Sequence, residues 1–345
     1  MDKARIAVVG YGVIGRRVAD AVRFQDDMEV VGVAGRSASF SLRDAALSGY
    51  DVYLTDSPKA GDVASRLVSA RGTLTKLLGL ADVVLDCTPS HVPQQYLAIY
   101  QQFDRLVTIV QGGEQHEFAG TSFNAFANYE EARGKRQIRV ISCSSTGITR
   151  FAYALDRSFG VRQVFAALAR RAADPAKPSQ TPHNALTPTL GRSHHAADVN
   201  SVLPRLSVFS QSVDCPTTFG HVINFQVDLL RAARRAEVLD VLESFPRVVV
   251  GSGLRNTAEL AEHDQDMGRR RRDRPEIHVW KEGIQVEGTT VYGTISVHME
   301  SITIPETVDC VRAALGLAPS KWTSIYETDR ALGIAKPPEC YHRKT

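Results

Sequence analysis

One cysteine in this sequence is placed to do chemistry, because it stands where a strand meets a turn. The apolar run Arg139–Ile141 leads into Ser142-Cys143-Ser144-Ser145-Thr146-Gly147. A helix beginning here would direct free backbone amides and the positive end of its dipole at the thiol. That arrangement favours the thiolate and can hold an oxyanion or a phosphate. The alternative is a buried structural cysteine, the commoner state of an isolated free cysteine.

Histidine is the side chain that could handle protons beside this thiol, because it titrates near neutral pH. Four candidates follow Cys143: His194 and His195 in a predicted loop, His221 and His298. The residues alone leave open which of them faces the thiol. Without Cys143, His221 would be interpreted as a core or surface histidine.

Two adjacent arginines, Arg170 and Arg171, lie in the predicted strand 163–172. Neighbouring side chains on a strand point to opposite faces of the sheet, so at most one of the two faces a given site. One of them could bind a phosphate, and we expect the other to pair with a carboxylate.

A glycine-rich turn near the N-terminus predicts a dinucleotide site. The apolar run Arg5–Val9 is followed by Gly10-Tyr11-Gly12-Val13-Ile14-Gly15 and then by apolar residues at helical spacing. In the strand-turn-helix unit the first glycine allows the tight turn, the second lets a pyrophosphate approach, and the third packs the helix on the strand. A second predicted strand, 29–34, follows at the spacing of a βαβ unit. The alternative is a glycine turn that binds nothing.

The end of that second strand predicts which nicotinamide cofactor is used. An Asp or Glu there would bind the ribose 2′-hydroxyl and repel a 2′-phosphate. The chain instead has Arg36 and Ser37, which suit a 2′-phosphate, so we predict that NADP is accepted and preferred over NAD. The alternative is that Arg36 is a solvated loop charge.

Strands and helices alternate up to Cys143, which predicts an α/β fold with an N-terminal doubly wound (Rossmann) domain. Longer predicted strands then indicate an α+β domain with a mixed or antiparallel sheet. We place the nucleotide domain at 1–141 and the catalytic domain at 142–301.

The composition is that of an ordinary globular protein, with 43% hydrophobic and 23% charged residues among 345. A net charge of +3 implies neither nucleic acid nor a membrane surface as a partner. The basic run Arg269–Arg274 lacks interleaved aromatic residues, so we interpret it as a solvated turn or subunit contact. Five cysteines without framework spacing favour a reducing cytoplasm, and we expect no metal site.

The sequence resembles the archaeal-type (type II) phosphorylating glyceraldehyde-3-phosphate dehydrogenases over nearly its whole length. The matching runs are Gly10-Tyr11-Gly12, Gln25–Val33, Gln111-Gly112-Gly113-Glu114, Asn128–Ala132, Arg170–Pro175, Ser193-His194-His195 and Pro216-Thr217-Thr218 with His221.

The resemblance implies a homotetrameric NAD(P)-dependent enzyme in which Cys143 attacks an aldehyde, His221 is the base, and inorganic phosphate resolves the thioester. It also implies that residues after about 302, up to 345, pack against the first domain. The implied substrate contacts are Ser142, Cys143, Ser144, His194 and His195, and the implied cofactor contacts are Val13, Ile14, Gly113 and Arg171. We add Ser145, Thr146 and Arg170 as candidate substrate or phosphate contacts and Met299 as a candidate cofactor contact.

Three departures from the family lie near these positions. Ser144 and Ser145 replace the usual Asn and Thr, Met299 replaces a Gln, and the loop before His194 is shorter. A thioether cannot donate a hydrogen bond to a carboxamide as an amide can. Two further hypotheses therefore stay open: a paralogue acting on another small phosphorylated or phosphonate aldehyde, and a non-catalytic nucleotide-binding protein.

Overall fold

The computed structural model describes residues 2–36, 40–55, 69–111, 113–172, 184–191 and 193–342. Ser37, one of the two predicted 2′-phosphate ligands, lies outside this part of the chain. The chain divides into two compact units. The first contains Met1–Ala125, Tyr129–Val140 and Ile304–Leu332, and the second contains Phe126–Asn128, Ile141–Thr303 and Gly333–Thr345.

The first unit is built on a parallel sheet, as the alternation of strands and helices predicts. Its eight described strands follow the order β4-β3-β2-β1-β5-β6-β8-β7, and every neighbouring pair is parallel. The central strands are almost completely buried, which is typical of a sheet covered on both faces. The strands are β1 Ala4–Val9, β2 Met28–Gly35, β3 Val52–Leu54, β4 Gly72–Thr73, β5 Val83–Asp86, β6 Val107–Val110, β7 Ser122–Phe123 and β8 Gln137–Val140.

Helices connect these strands, and two helices from the C-terminal part of the chain belong to the same unit. Arg312, on the first of those two, is buried and hydrogen-bonds the carboxylate of Asp27 through both Nε and Nη2, at 2.8 Å each. The described helices are α1 Val13–Arg23, α2 Phe40–Leu47, α3 Leu74–Leu78, α4 Pro93–Tyr100, α5 His116–Ala119, α10 Ile304–Leu315 and α11 Lys321–Ala331.

The second unit contains a mixed sheet, also as predicted. Its order is β10-β11-β9-β12-β16-β14-β13, with β15 paired to β16. The β11–β9 and β13–β14 pairs are parallel and the others antiparallel. The strands are β9 Val161–Arg171, β10 Thr187–Pro188, β11 Ser207–Cys215, β12 His221–Leu229, β13 Val248–Gly251, β14 Ile277–Trp280, β15 Gln285–Glu287 and β16 Thr290–Val297.

The long helix α6, Cys143–Phe159, packs against one face of this sheet. Phe151 stacks on Phe225 of β12, with ring centroids 4.6 Å apart and planes 11° from parallel. Gly147 lies so close to β16 that a Cβ added there would be 2.6 Å from Cγ2 of Val297. The other described helices of the unit are α7 His194–Asn200, α8 Arg235–Ser244, α9 Thr257–Asp266 and α12 Glu339–His342.

Helix α6 begins at Cys143, in agreement with the helix start that the sequence suggests at the thiol. Other expectations about local structure were wrong. His194 and His195 form the first turn of a helix, where a loop was predicted, because Ser193 precedes them in an extended conformation suited to a helix N-cap. Gly333–Thr345 clusters with the second unit, where Lys336 Nζ donates to the carbonyl of Glu243.

The basic run is also not a solvated turn. Arg269 donates to both carboxylate oxygens of Glu276, at 2.7 and 2.6 Å, and the buried Arg274 pairs with Asp264 at 2.8 Å. No helix in the part of the chain that the structure describes is long and apolar enough to cross a membrane.

Candidate active site

The glycine turn after β1 has the backbone geometry of a phosphate-binding loop. Gly10 has φ +86°, and a Cβ there would lie 2.9 Å from Thr88. A Cβ on Gly15 would clash with the carbonyl oxygen of Gly10, so the start of helix α1 can approach the strand only without a side chain at that position. Around Gly12 there is open space, with no atom of the described residues within 4 Å of a built Cβ. A ligand phosphate could therefore approach the backbone at Gly12.

A cleft of about 220 Å³ opens beside this turn. Val13 and Ile14, at the start of α1, are exposed and half-buried respectively. Arg36 is exposed at the end of β2 and contributes to the wall. None of the described residues lining the cleft carries a carboxylate; they are Val9, Gly10, Tyr11, Gly12, Gly35, Arg36, Ser41, Leu42, Thr55, Thr88, Pro89, Val92 and Tyr96.

Two buried carboxylates in the same unit shape neighbouring loops. Asp86, at the end of β5, accepts from the Thr88 backbone amide at 2.9 Å and from Tyr100 Oη at 2.8 Å, although burial raises its pKa. Glu114 accepts from the His91 amide at 2.6 Å. Gly113 lies so close to Ser90 that any side chain at 113 would clash with the serine hydroxyl. These contacts hold the loops after β5 and β6 in fixed conformations.

In the second unit, Cys143 is the first residue of helix α6 and is partly exposed. Ser142 before it has an extended backbone, and the Thr146 amide donates to the Ser142 carbonyl at 2.8 Å. The serine hydroxyls on either side form a chain. Ser142 Oγ lies 2.8 Å from Ser145 Oγ, which donates to the buried carboxylate of Asp198 at 3.1 Å. Because the carboxylate can only accept, the Ser142 hydroxyl donates to Ser145 and keeps its lone pairs for other partners.

The other two hydroxyl residues after Cys143 are fully buried. Thr146 directs its hydroxyl to the carbonyl of Ile141 at 3.4 Å and so holds the strand end against the first helical turn. The backbone amide of Ser144 lowers the pKa of the Cys143 thiol. The Thr146 hydroxyl is therefore buried and bonded within the protein, whereas the sequence predicted it as a substrate or phosphate contact.

The pKa of the Cys143 thiol is raised, contrary to the expectation from its place at a helix start. Desolvation is the largest cause, and Glu300 adds to it. Arg170 and the backbone amide of Ser144 lower this pKa, but their effect is outweighed. The free protein therefore keeps Cys143 as a thiol at neutral pH, and a reaction at sulfur must include loss of its proton.

His221 is the histidine that contacts this thiol, which the sequence left open. Its Nε2 lies 3.6 Å from Cys143 Sγ, and its Nδ1 accepts from the Arg171 backbone amide at 2.8 Å. The ring is 1% exposed. Desolvation, followed by the charges of Arg170, Arg171 and His298, lowers its pKa to about 3. His221 is therefore neutral at physiological pH.

Both arginines of β9 contact carboxylates, where the sequence predicted one. Arg171 has a buried side chain; it pairs with Glu300 and places Nη2 3.6 Å from the sulfur of Met299. Arg170 lies 3.4 Å from Asp214 and stays partly exposed. Because Arg170 shifts the pKa values of Cys143, His195 and His221, its charge acts on the region around the thiol.

The paired histidines flank the same region on helix α7. Their rings lie 4.0 Å apart at 30°, with His194 exposed and His195 2% exposed. His195 Nδ1 is 2.5 Å from Ser193 Oγ. Burial, then His194, Arg170 and His221, lower the pKa of His195 to about 2, so its ring is neutral. The remaining residue of that region, Asp198, lies one turn farther along α7 and was missed by the sequence reasoning.

Comparison with known proteins identifies the family. Residues 142–266 match the family described as "Glyceraldehyde 3-phosphate dehydrogenase, C-terminal domain". A glyceraldehyde-3-phosphate dehydrogenase of Methanothermus fervidus is 40% identical over 334 residues, which cover 95% of this chain and 98% of that protein. The chain belongs to the glyceraldehyde-3-phosphate dehydrogenase family. This result confirms the resemblance stated above.

Other members of the glyceraldehyde-3-phosphate dehydrogenase family are similarly related. One from Pyrobaculum calidifontis is 41% identical over 337 residues, 96% of this chain and 97% of that protein. An aspartate semialdehyde dehydrogenase II from Vibrio cholerae, complexed with ASA, has the same fold with a TM-score of 0.65 over 90% of this chain and 98% of that chain. Because the two sequences are only 11% identical, this structural similarity supports the two-domain fold alone.

Proposed function

We propose that this chain oxidises glyceraldehyde 3-phosphate with inorganic phosphate to an acyl phosphate, the oxidative step of glycolysis, using Cys143 as the nucleophile. The observation that carries the proposal is the 3.6 Å contact between Cys143 Sγ and His221 Nε2 at the first turn of α6. Helix start, thiol and histidine together supply what covalent aldehyde oxidation needs: a nucleophile, and donors for a developing oxyanion. Membership of the family supports the same assignment.

The first unit fits a nicotinamide dinucleotide. Gly10, Gly12 and Gly15 leave the backbone open where a pyrophosphate would meet the N-terminus of α1, and Val13 and Ile14 are available beside it. The bound cofactor would supply a two-electron oxidant, which no side chain can provide. This chain's residues supply the binding surface and the covalent attachment of the substrate.

The covalent steps are assigned to Cys143. After the thiol has lost its proton, the sulfur forms a bond to the aldehyde carbon, and the carbonyl oxygen takes the electron pair of the C=O π bond. Oxidation of this adduct gives a thioester on Cys143. Phosphate oxygen then bonds to the acyl carbon and the C–S bond breaks, which releases the acyl phosphate and the thiolate. We assign the backbone amides of the first turn of α6 to the oxyanion of each adduct.

Arg170 is the residue assigned to substrate and phosphate anions. It is the partly exposed cation whose charge acts on both Cys143 and His221, whereas Arg171 is buried against Glu300. We assign Ser142 and His194 to the same anionic substrate because both are accessible beside the thiol region. Ser145 hydrogen-bonds the Ser142 hydroxyl, and the His195 ring packs against the His194 ring, so both hold their neighbours in position. A guanidinium is suited to phosphate through its fork of donors.

NADP preference is assigned to Arg36. It lines the cleft at the end of β2, and no described lining residue offers a carboxylate to the ribose 2′-hydroxyl. Arg36→Glu places a negative charge at this point, so the ratio of kcat/KM for NADP over NAD should fall by about 100-fold or more, mainly through the KM for NADP. Arg105→Glu, the same charge change at an exposed residue of this unit that does not line the cleft, is the control for net charge. An unchanged ratio in Arg36→Glu would contradict the assignment.

The whole proposal is tested by steady-state formation of NADPH and NADH from glyceraldehyde 3-phosphate, with and without inorganic phosphate. Phosphate-dependent turnover that Cys143→Ser abolishes, with cofactor binding retained, supports it. Turnover independent of phosphate would contradict the phosphorylating step, and cofactor binding without any turnover would favour a non-catalytic protein.

We further propose that the protein is a homotetramer. Light scattering of the purified chain would test this by the mass of the assembly.

A second candidate has the same chemistry on another small anionic aldehyde. It is favoured by Met299, whose sulfur contacts Arg171 where the family usually has a glutamine, and by the small side chains of Ser144 and Ser145. A panel of phosphorylated and phosphonate aldehydes decides between the two. Strong turnover of one of these, with little turnover of glyceraldehyde 3-phosphate, would replace the first candidate.

A further inference from the structure

A cavity in the second unit opens on the face of the mixed sheet that is opposite helix α6. Ile223 and Ile295 lie on the α6 face, where a Cβ built on Gly147 would be 3.8 and 3.5 Å from them. Their chain neighbours Val222 and Thr294 therefore point to the other face. Both line a cavity of about 630 Å³, together with residues that follow β13 and β14. This volume is in the range of pockets that hold small molecules.

The indole of Trp280 forms an aromatic wall of this cavity and has a fixed orientation. Its Nε1 donates to the carbonyl of Leu254 at 2.5 Å. The imidazole of the buried His278 stands against it at 82°, with the ring centroids 5.3 Å apart. Because its one hydrogen-bond donor is engaged, the partly exposed indole can offer a ligand only its ring. A tryptophan ring is the best aromatic partner for a cation.

Glu282 gives the same cavity a negative charge. Hydrogen bonds from its own backbone amide, the Ser252 hydroxyl and the Gly253 amide lower its pKa, so the carboxylate is ionised at neutral pH. All three of these donors are neutral groups. They stabilise the carboxylate without cancelling its charge.

The basic residues around the cavity do not cancel this charge either. His278 is neutral at physiological pH, because burial lowers its pKa to about 4. Arg255, the only cation among the described lining residues, donates through Nε to Glu259 at 3.2 Å and has Nη2 2.9 Å from the same carboxylate. Lys281 lies 3.4 Å from Glu243. The cavity therefore carries an excess of negative charge beside an aromatic ring.

We propose that this cavity binds a small organic cation, an amine or quaternary ammonium group carried on an apolar or aromatic body. The ammonium group contacts the Trp280 ring and the Glu282 carboxylate, and the body packs against the apolar lining residues Val222 and Leu254. The site shares no lining residue with the glycine-turn cleft and does not include Cys143, so it does not depend on the aldehyde chemistry proposed above.

Three probes of similar size separate the effect of charge from that of shape: 2-phenylethylammonium is a cation, 2-phenylethanol is neutral and phenylacetate is an anion. The chain has two tryptophans, so in full-length Trp322→Phe the fluorescence reports on Trp280 alone. We expect the cation to bind at least about 5-fold more tightly than the alcohol, and the anion to bind more weakly than either. Added salt should weaken binding of the cation and leave binding of the alcohol unchanged.

Glu282→Gln tests the carboxylate directly, because it removes the charge and keeps an oxygen that accepts hydrogen bonds. The affinity for the cation should fall about 5-fold or more, and that for the alcohol should change by less than about 2-fold. Glu287→Gln, the same charge change at an exposed residue outside the cavity, is the control and should alter neither affinity.

Three results would overturn the proposal: no binding of the cation, equal affinities for the cation and the alcohol, or an unchanged affinity for the cation in Glu282→Gln. Calorimetric titration of the wild-type chain with the same three probes measures the first two without any substitution. It therefore decides the question even if a variant fails to fold.

Discussion

Helix α6 approaches the sheet closely at Gly147, and replacing this glycine by alanine tests whether that approach positions Cys143. The added Cβ would be 2.6 Å from Cγ2 of Val297, whereas ordinary contacts begin at 3.4 Å, so the helix and strand must separate by about 3.4 − 2.6 = 0.8 Å. Val297 is β-branched and buried, and it cannot turn aside as a long side chain could.

Two effects of Gly147→Ala oppose each other. Alanine is favoured over glycine inside a helix by about 1 kcal/mol. Overpacking a buried contact costs about 1–3 kcal/mol. We expect the clash to prevail, with a net loss of up to about 2 kcal/mol in the free energy of unfolding, which lowers the melting temperature of a unit of this size by up to about 8 °C. Because Cys143 lies one turn away, kcat should fall about 10- to 100-fold.

Thermal unfolding and steady-state turnover measure the two quantities, and Gly79→Ala is the matched control. Gly79 follows helix α3 with φ −65° and is exposed, and no atom in the described part of the chain lies closer than 3.6 Å to a Cβ built there. That variant should be neutral, or more stable by up to about 1 kcal/mol. If Gly147→Ala were as stable and as active as Gly79→Ala, the close approach of α6 to β16 would be refuted.

Three further predictions concern charge and burial. The rate at which iodoacetamide alkylates Cys143 should have a pH midpoint above that of an ordinary thiol, because desolvation raises the pKa of Cys143. Arg170→Met should raise this midpoint further. A midpoint below about pH 8 would contradict the effect of desolvation. Arg312 forms a buried ion pair with Asp27, whereas the ion pairs of Arg330 are exposed. Denaturant unfolding should show that Arg312→Met lowers the free energy of unfolding by about 2–4 kcal/mol and Arg330→Met by less than about 1 kcal/mol. Equal losses would contradict the greater contribution of the buried pair. His278 is buried and its pKa is lowered to about 4, so the folded protein loses stability as the pH falls from 6.5 to 4 and the unfolded chain takes up the proton first. Acid unfolding of His278→Phe should therefore begin at a lower pH than that of the wild type. An unchanged onset would contradict this prediction.

Local patterns predict the parts of the fold that depend on neighbouring residues. The Gly10–Gly15 turn and the alternation of strands and helices indicate the first sheet, because glycine conformation and side-chain periodicity act over a few residues. The change to longer strands after Cys143 predicts the second, mixed sheet for the same reason.

Contacts between distant positions could not be predicted in this way. Arg171 pairs with Glu300, 129 residues away, and Ser145 bonds Asp198, 53 residues away. The raised thiol pKa of Cys143 was missed because burial depends on the packed structure, whereas the helix start that favours a thiolate is visible locally. The choice of His221 among four histidines likewise depends on the pairing of β9 with β12.

The central claim is that Cys143 carries the acyl group, and mass spectrometry of the intact chain tests it most directly. With glyceraldehyde 3-phosphate and oxidised cofactor but no phosphate, we predict one acyl group per chain, located on the Cys143 peptide and discharged when phosphate is added. Cys143→Ser should show no added mass. Unmodified Cys143 during active turnover, or turnover preserved in Cys143→Ser, would contradict the account.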